Sequence, residues 1–349
     1  MRTKTRRQAG RGGAAGIVLG VIVALVAAAL VALAISRALE GEPATPEPAP
    51  EGGPLVAGEE EIARLLESVQ VYVSTGERSR AHAILDAAVG QYPDDQDLRL
   101  AYGQLLMQDE RWEEAFAQYD AASLAGPISP REHFTAGTLA STVERYEDAI
   151  RHYDMAQRAD PTDATYPLYL AQVQLKLGLK SEAIASLVRA SVLDETNPLI
   201  WGSMASVELS ENRVNLALQH VARARELEPE SRDWRLLQAR AMKRAGRAEE
   251  AIGVLLGLGD DLVTDDEARR AMSECYGLVG EPGEALALYE QAMARRPGLS
   301  GLVYEAAVWA ERAQRPERAL ELARRAVEMG HEHAERLVTR LEAVVDAGG

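Results

Sequence analysis

The sequence holds a single cysteine, Cys275, so neither an intrachain disulfide nor a multi-thiolate metal site can form from it. At its place in the chain Cys275 reads as a reduced, packed thiol beside Tyr276. Phenylalanine occurs twice and aromatics make up 5% of the residues, while Ala, Leu, Glu and Arg dominate. Sheet is therefore not expected and helix is. Lysine is scarce, Arg outnumbering Lys 34 to 4, which reads as the mark of a GC-rich bacterial genome. A surplus of positive charge is missing as well: the formal net charge of −16 leaves no clustered basic surface for a phosphate backbone, and nucleic acid is excluded as the main partner.

Catalytic signatures are also wanting. His331-Glu332-His333-Ala334-Glu335 begins like the zinc-peptidase HExxH but has Glu335 where the second histidine must stand one helical turn on. His82, His133, His152 and His220 are scattered, and no Gly-rich phosphate loop or nucleophile elbow occurs. No enzyme, metal or cofactor is expected.

What is present begins with 25 uncharged residues, 12–36, flanked by Arg11 and Arg37. That length spans a bilayer. Residues 1–11 carry Arg2, Lys4, Arg6, Arg7 and Arg11, whereas Glu40, Glu42, Glu47 and Glu51 follow the span. The positive-inside rule then predicts a single-pass cytoplasmic-membrane protein with a cytoplasmic N-terminus and everything beyond residue 37 outside, periplasmic or extracytoplasmic. A cleaved signal peptide is the competing reading, with Ala32-Leu33-Ala34 as a small-x-small site, although the apolar run exceeds the usual h-region. Gly12, Gly16, Gly20, Ala24, Ala28 and Ala32 form a small-residue stripe on which two spans can pair as a homodimer. Residues 37–61 follow as a Pro/Glu-rich linker, able to hold the next domain on the order of 50 Å from the membrane.

From residue 62 a 34-residue frame runs without insertion through starts at 62, 96, 130, 164, 198, 232, 266 and 300. Position 20 of the unit is Ala81, Ala115, Ala149, Ala183, Ala217, Ala251, Ala285 and Ala319. Position 27 is alanine except at Leu258, and position 32 is proline in Pro93, Pro127, Pro161, Pro229 and Pro297. Position 8 is small: Val69, Gly103, Gly137, Ala171, Ala205, Ala239, Ser273 and Ala307.

In these residues the chain resembles the tetratricopeptide repeat (TPR) family over 62–333. The resemblance implies an all-α fold, a right-handed superhelix (α-solenoid) of eight helix-turn-helix repeats. Small side chains at positions 8 and 20 let the paired helices cross closely. Gly257, Leu258, Gly259, Asp260 and Asp261 interrupt the second helix of the sixth repeat, either as a flexible joint or as a rebuilt turn. Residues 334–349 supply a capping helix and tail, with Leu337, Val338, Leu341, Val344 and Val345 at helical spacing.

The resemblance further implies that the first helix of each repeat presents ligand contacts at positions 2, 5, 9, 12 and 13. In the first five repeats these include Leu66, Gln70, Val73, Leu100, Gln104, Met107, Phe134, Thr138, Ser141, Leu168, Gln172, Leu175, Ser206 and Leu209, a lining suited to a peptide read by apolar anchors and amide bonds. The later repeats offer Arg240, Lys243, Arg244, Arg270 and Arg312 among acids, either a patch for a partner carboxylate or a solvated face. The family's chaperone-tail clamp, with Lys at position 5 and Asn at position 9, is absent. The layout is similar to anchored TPR scaffolds or adaptors of envelope assembly, secretion and maturation. A holdase beside the export channel and a regulatory subunit of a membrane enzyme are the alternatives.

Overall fold

Every regular element of the computed structural model, which describes residues 57–348, is helical; eighteen helices and no strand occur among the described residues. The expected membrane segment, its Gly12 to Ala32 stripe and most of the linker lie outside the described residues. No described helix is long and apolar enough to cross a membrane. The first described helix starts at Ala57, so residues 57–61, expected as linker, are helical.

The chain divides into two compact units, one ending at Leu179 and the other starting at Lys180. The described part of the first contains α1 (Ala57–Ser74), α2 (Arg78–Gln91), α3 (Gln96–Gln108), α4 (Trp112–Ala125), α5 (Pro130–Thr142), α6 (Tyr146–Ala159) and α7 (Thr165–Lys176). The second contains α8 (Lys180–Leu193), α9 (Pro198–Ser210), α10 (Val214–Leu227), α11 (Arg232–Arg244), α12 (Ala248–Leu256), α13 (Asp261–Thr264), α14 (Asp266–Leu278), α15 (Pro282–Arg295), α16 (Ser300–Arg312), α17 (Pro316–Glu328) and α18 (Ala334–Gly348). Within each unit, helices close in sequence pack as neighbours, with α12 on α14 and four-residue α13 on α14 and α15.

All eight position-20 alanines are 1% exposed or less. Their size is matched across the helix pair: in the second and third repeats glycine at position 8 lies under tyrosine at position 24. A Cβ on Gly103 would stand 2.8 Å from the Tyr119 ring, and one on Gly137 2.7 Å from the Tyr153 ring. Where position 24 is leucine, as Leu255 of the sixth repeat, position 8 is Ala239, and both are buried in one core. In the second and third repeats ring and methyl group would compete for one volume; in the seventh, Ser273 and Tyr289 hold these two positions and both are buried.

The turn inside each repeat has its own rule. Position 15 has positive φ all eight times, at Gly76, Glu110, Glu144, Gly178, Asn212, Gly246, Gly280 and Gln314. The next residue's N–H then reaches back to the carbonyl five residues earlier, as from Arg145 to Ala140 (2.8 Å) and from Glu281 to Tyr276 (2.9 Å). This is the Schellman closure, which satisfies a helix-end carbonyl and turns the chain tightly. Between repeats, Asp95, Ser129, Asn197 and Asp265 cap the following helix through their side chains, Ser129 and Glu132 forming a capping box.

The sixth repeat contains a rebuilt turn. Helix α12 stops after nine residues, Gly259 takes positive φ, and four-residue α13 carries Leu262 and Val263 into the core beside Leu258. Arg269, 2% exposed, donates to the Val263 carbonyl at 2.9 Å, pairs with Asp266 and lies 5.1 Å over the Tyr289 ring. In α18, Ala334, Leu337 and Leu341 are buried and Val338 is half-buried against the same core, while Val344 faces outward.

Candidate functional site

Position 9 of the first unit puts Gln70, Gln104, Thr138 and Gln172 at one register in four successive repeats. Gln70 and Gln104 are exposed, Thr138 and Gln172 half-buried. One of them is oriented from behind by a position-24 tyrosine: the Thr138 hydroxyl is 3.2 Å from the Tyr153 hydroxyl. Burial pushes the Tyr119 phenol up to about 12, so it stays neutral.

Beside this row Leu66, Val73, Met107 and Phe134 are half-buried on the core edge, and Ser141 and Leu175 are half-buried as well. The Phe134 ring sits 5.0 Å from Tyr169, 5.6 Å from Tyr153 and 5.8 Å from Tyr166, centroid to centroid. Sequence reasoning singled out Phe134 and missed Tyr166 and Tyr169, which flank position 5 of the next repeat. Of the expected contact residues, Leu100, Leu168 and Leu209 are 9% exposed or less and are counted among the buried apolar residues. In the second unit Ser206 is exposed.

The basic set of the later repeats is largely consumed within the chain. Arg240 pairs with Glu267, Lys243 with Glu274, and Arg244 donates to the Leu209 carbonyl at the end of α9. Arg270 is exposed, and Arg312 stacks 4.6 Å over the Trp309 ring. An open cleft of about 1020 Å³ lies at this end of α11, α14 and α16, lined in part by Lys243, Leu278, Trp309, Arg312 and Arg315.

The nearest approach to reactive chemistry is a buried pair. His133 Nδ1 lies 3.3 Å from His152 Nδ1, and His152 Nε2 lies 3.3 Å from Asp120 Oδ1. A neutral pair is self-consistent if His152 donates from Nε2 to Asp120 and accepts from His133 at Nδ1. Burial, reinforced by Arg151, pushes His152 down to about 4 against the pull of Asp120; burial lowers His133 as well. Burial pushes the Cys275 thiol up, leaving it protonated. Among the described residues no group of three or more His, Cys, Asp or Glu has the placement to hold a metal ion.

Residues 66–130 and 134–198 match the tetratricopeptide repeat family, and 206–323 match the family described as Psidin, N-terminal TPR repeats region. Two solved structures share the fold. A tetratricopeptide repeat protein from Parabacteroides merdae has TM-score 0.52 and 16% identity, covering 71% of this chain and 98% of that one. The C-terminal part of a TPR repeat-containing protein from Cytophaga hutchinsonii has TM-score 0.54 and 13% identity, covering 68% and 98%. Among curated proteins, Phagocyte signaling-impaired protein of Drosophila pseudoobscura pseudoobscura is 31% identical over 93 residues, 27% of this chain and 10% of that relative, so the chain spans about a tenth of its length. The chain belongs to the tetratricopeptide repeat family. Its fold is that of a protein–protein interaction scaffold.

Proposed function

We infer that this chain is a non-enzymatic scaffold or adaptor, tethered to the cytoplasmic membrane by residues 12–36 and presenting its repeats outside to protein or peptide partners of the cell envelope. The observation carrying the binding part is the uncharged row at Gln70, Gln104, Thr138 and Gln172, maintained on a chain that is 26% charged. Amides and hydroxyls at one register offer hydrogen bonds to a peptide backbone without demanding a charged partner. The tether rests on the uncharged run and on the basic residues before it. The small-residue stripe from Gly12 to Ala32 is where two spans would associate; Gly16→Leu with Gly20→Leu should then abolish crosslinked dimers, and an unchanged yield removes the dimer.

Photocrosslinking in cells from Gln70 and Gln104, followed by mass spectrometry, tests the whole reading. A small set of envelope proteins is the expected catch. Recovery of cytoplasmic proteins alone overturns the orientation, and many unrelated unfolded chains would replace the adaptor with a holdase.

A further inference from the structure

The cleft of the second unit has a feature that its neighbouring cations throw into relief. Arg244 and Arg312 occupy the same register position, 13, in the sixth and eighth repeats. The first is used internally, on the Leu209 carbonyl, and Lys243 beside it on Glu274. Arg312 stands over the Trp309 ring instead, and Arg315 lines the same cleft; among the described residues neither has a carboxylate partner. Gly277 makes this arrangement possible, since a Cβ there would stand 2.9 Å from the Trp309 ring. Leu278, 63% exposed, contributes an apolar wall from the intervening repeat.

We propose that this cleft binds an acidic peptide segment of a partner protein, Arg312 and Arg315 gripping two of its carboxylates and Leu278 taking an apolar side chain between them. Guanidinium groups bind carboxylates through paired N–H donors, and one already stacked on an indole loses little freedom on binding. Charge complementarity is local. The charged lining is Lys243, Arg244, Arg312 and Arg315 against Glu274 and Glu281, on a chain of net charge −16. Screening confines attraction to about a Debye length, roughly 8 Å at physiological salt, so the two free arginines must carry recognition. Of the two lining carboxylates Glu274 is paired with Lys243, which leaves Glu281 as the opposing charge unpaired among the described residues. The proposal presupposes that the chain binds proteins but uses a different unit and a different ligand chemistry from the position-9 row.

The probe is a fluorescein-labelled heptapeptide, GLDELEG, with its amide counterpart GLNQLQG, titrated against the full chain by fluorescence anisotropy. The acidic peptide should bind about tenfold tighter than the amide one, and Arg312→Gln with Arg315→Gln should abolish that difference. Glu281→Gln should tighten acidic-peptide binding, a gain that unfolding cannot produce. Arg315→Gln alone should weaken it, and Arg131→Gln, in the other unit, should leave it unchanged. Equal binding of the two peptides, no binding at millimolar peptide, or an unaffected double variant overturns the proposal. Crosslinks from Gln104 read the position-9 row separately: their persistence in the double variant alongside lost peptide binding separates the two surfaces.

Discussion

The ring of Tyr153 lies across the backbone at Gly137, close enough that a Cβ there would come within 2.7 Å of it. Tyr153 is 1% exposed, with its hydroxyl bonded to Thr138, so the ring has nowhere to retreat. Gly137→Ala gains helix propensity of about 1 kcal/mol but overpacks by about 1–3 kcal/mol, and the net outcome should be destabilising. In a Tyr153→Leu background the clash disappears, reproducing the Ala239 and Leu255 pairing of the sixth repeat, and the same alanine should stabilise. Urea unfolding of the four proteins in the cycle measures this reversal of sign. A Gly137→Ala effect identical in both backgrounds would remove the proposed competition for volume.

Glu110, Glu144 and Gln314 pay a steric cost at position 15 that Gly246 and Gly280 avoid, because a Cβ is disfavoured at positive φ. Replacing any of the three by glycine should stabilise by about 0.5–1 kcal/mol, offset in part by the freer unfolded chain. Gly280→Ala should cost about 1 kcal/mol. Thermal melts of these single variants should rank them in that order; a loss of stability in Glu144→Gly would show the turn to be held by the glutamate side chain.

The period was legible because close helix crossing leaves alanine at position 20 no larger alternative, and the eight alanines are all buried. Position 15 was less legible: four of its residues, Glu110, Glu144, Asn212 and Gln314, do not announce a left-handed backbone. Contact residues were less legible still. Register put Leu100 and Leu168 beside Gln104 and Gln172, but whether a helical leucine faces a ligand or the next helix depends on packing between repeats. The use of Arg240 and Lys243 by Glu267 and Glu274 likewise spans separations of 27 and 31 residues. Local pattern carries no record of such pairs.

The first unit should lose stability as the medium is acidified. His152 titrates near 6.5 when unfolded but at about 4 when folded, so between these values the unfolded state holds more protons. Stability is therefore complete above about pH 6.5 and declines as pH falls toward 4, by up to about 3 kcal/mol for this one group. His133, also lowered by burial, adds in the same direction, and His220 does the same for the second unit. Chemical denaturation at a series of pH values should show this slope, and His152→Gln should flatten it. A slope unchanged by His152→Gln would assign the acid sensitivity to other groups.

Arg269 fastens the rebuilt turn of the sixth repeat to the following helix, and Arg269→Met isolates that role at similar side-chain length. The substitution relieves the burial of a charge whose Nε already has no hydrogen-bond partner, but it strips the donor from the Val263 carbonyl and the partner from Asp266. Losing a buried carbonyl's donor costs about 1–3 kcal/mol, and the relief of desolvation opposes it, so the global loss should be small. The local effect should not be. Hydrogen exchange should accelerate across 257–266, where α13 has only four residues to hold itself, while α16 and α17 keep their protection. Unchanged exchange in that segment would mean that Leu258, Leu262 and Val263 hold the turn by packing alone.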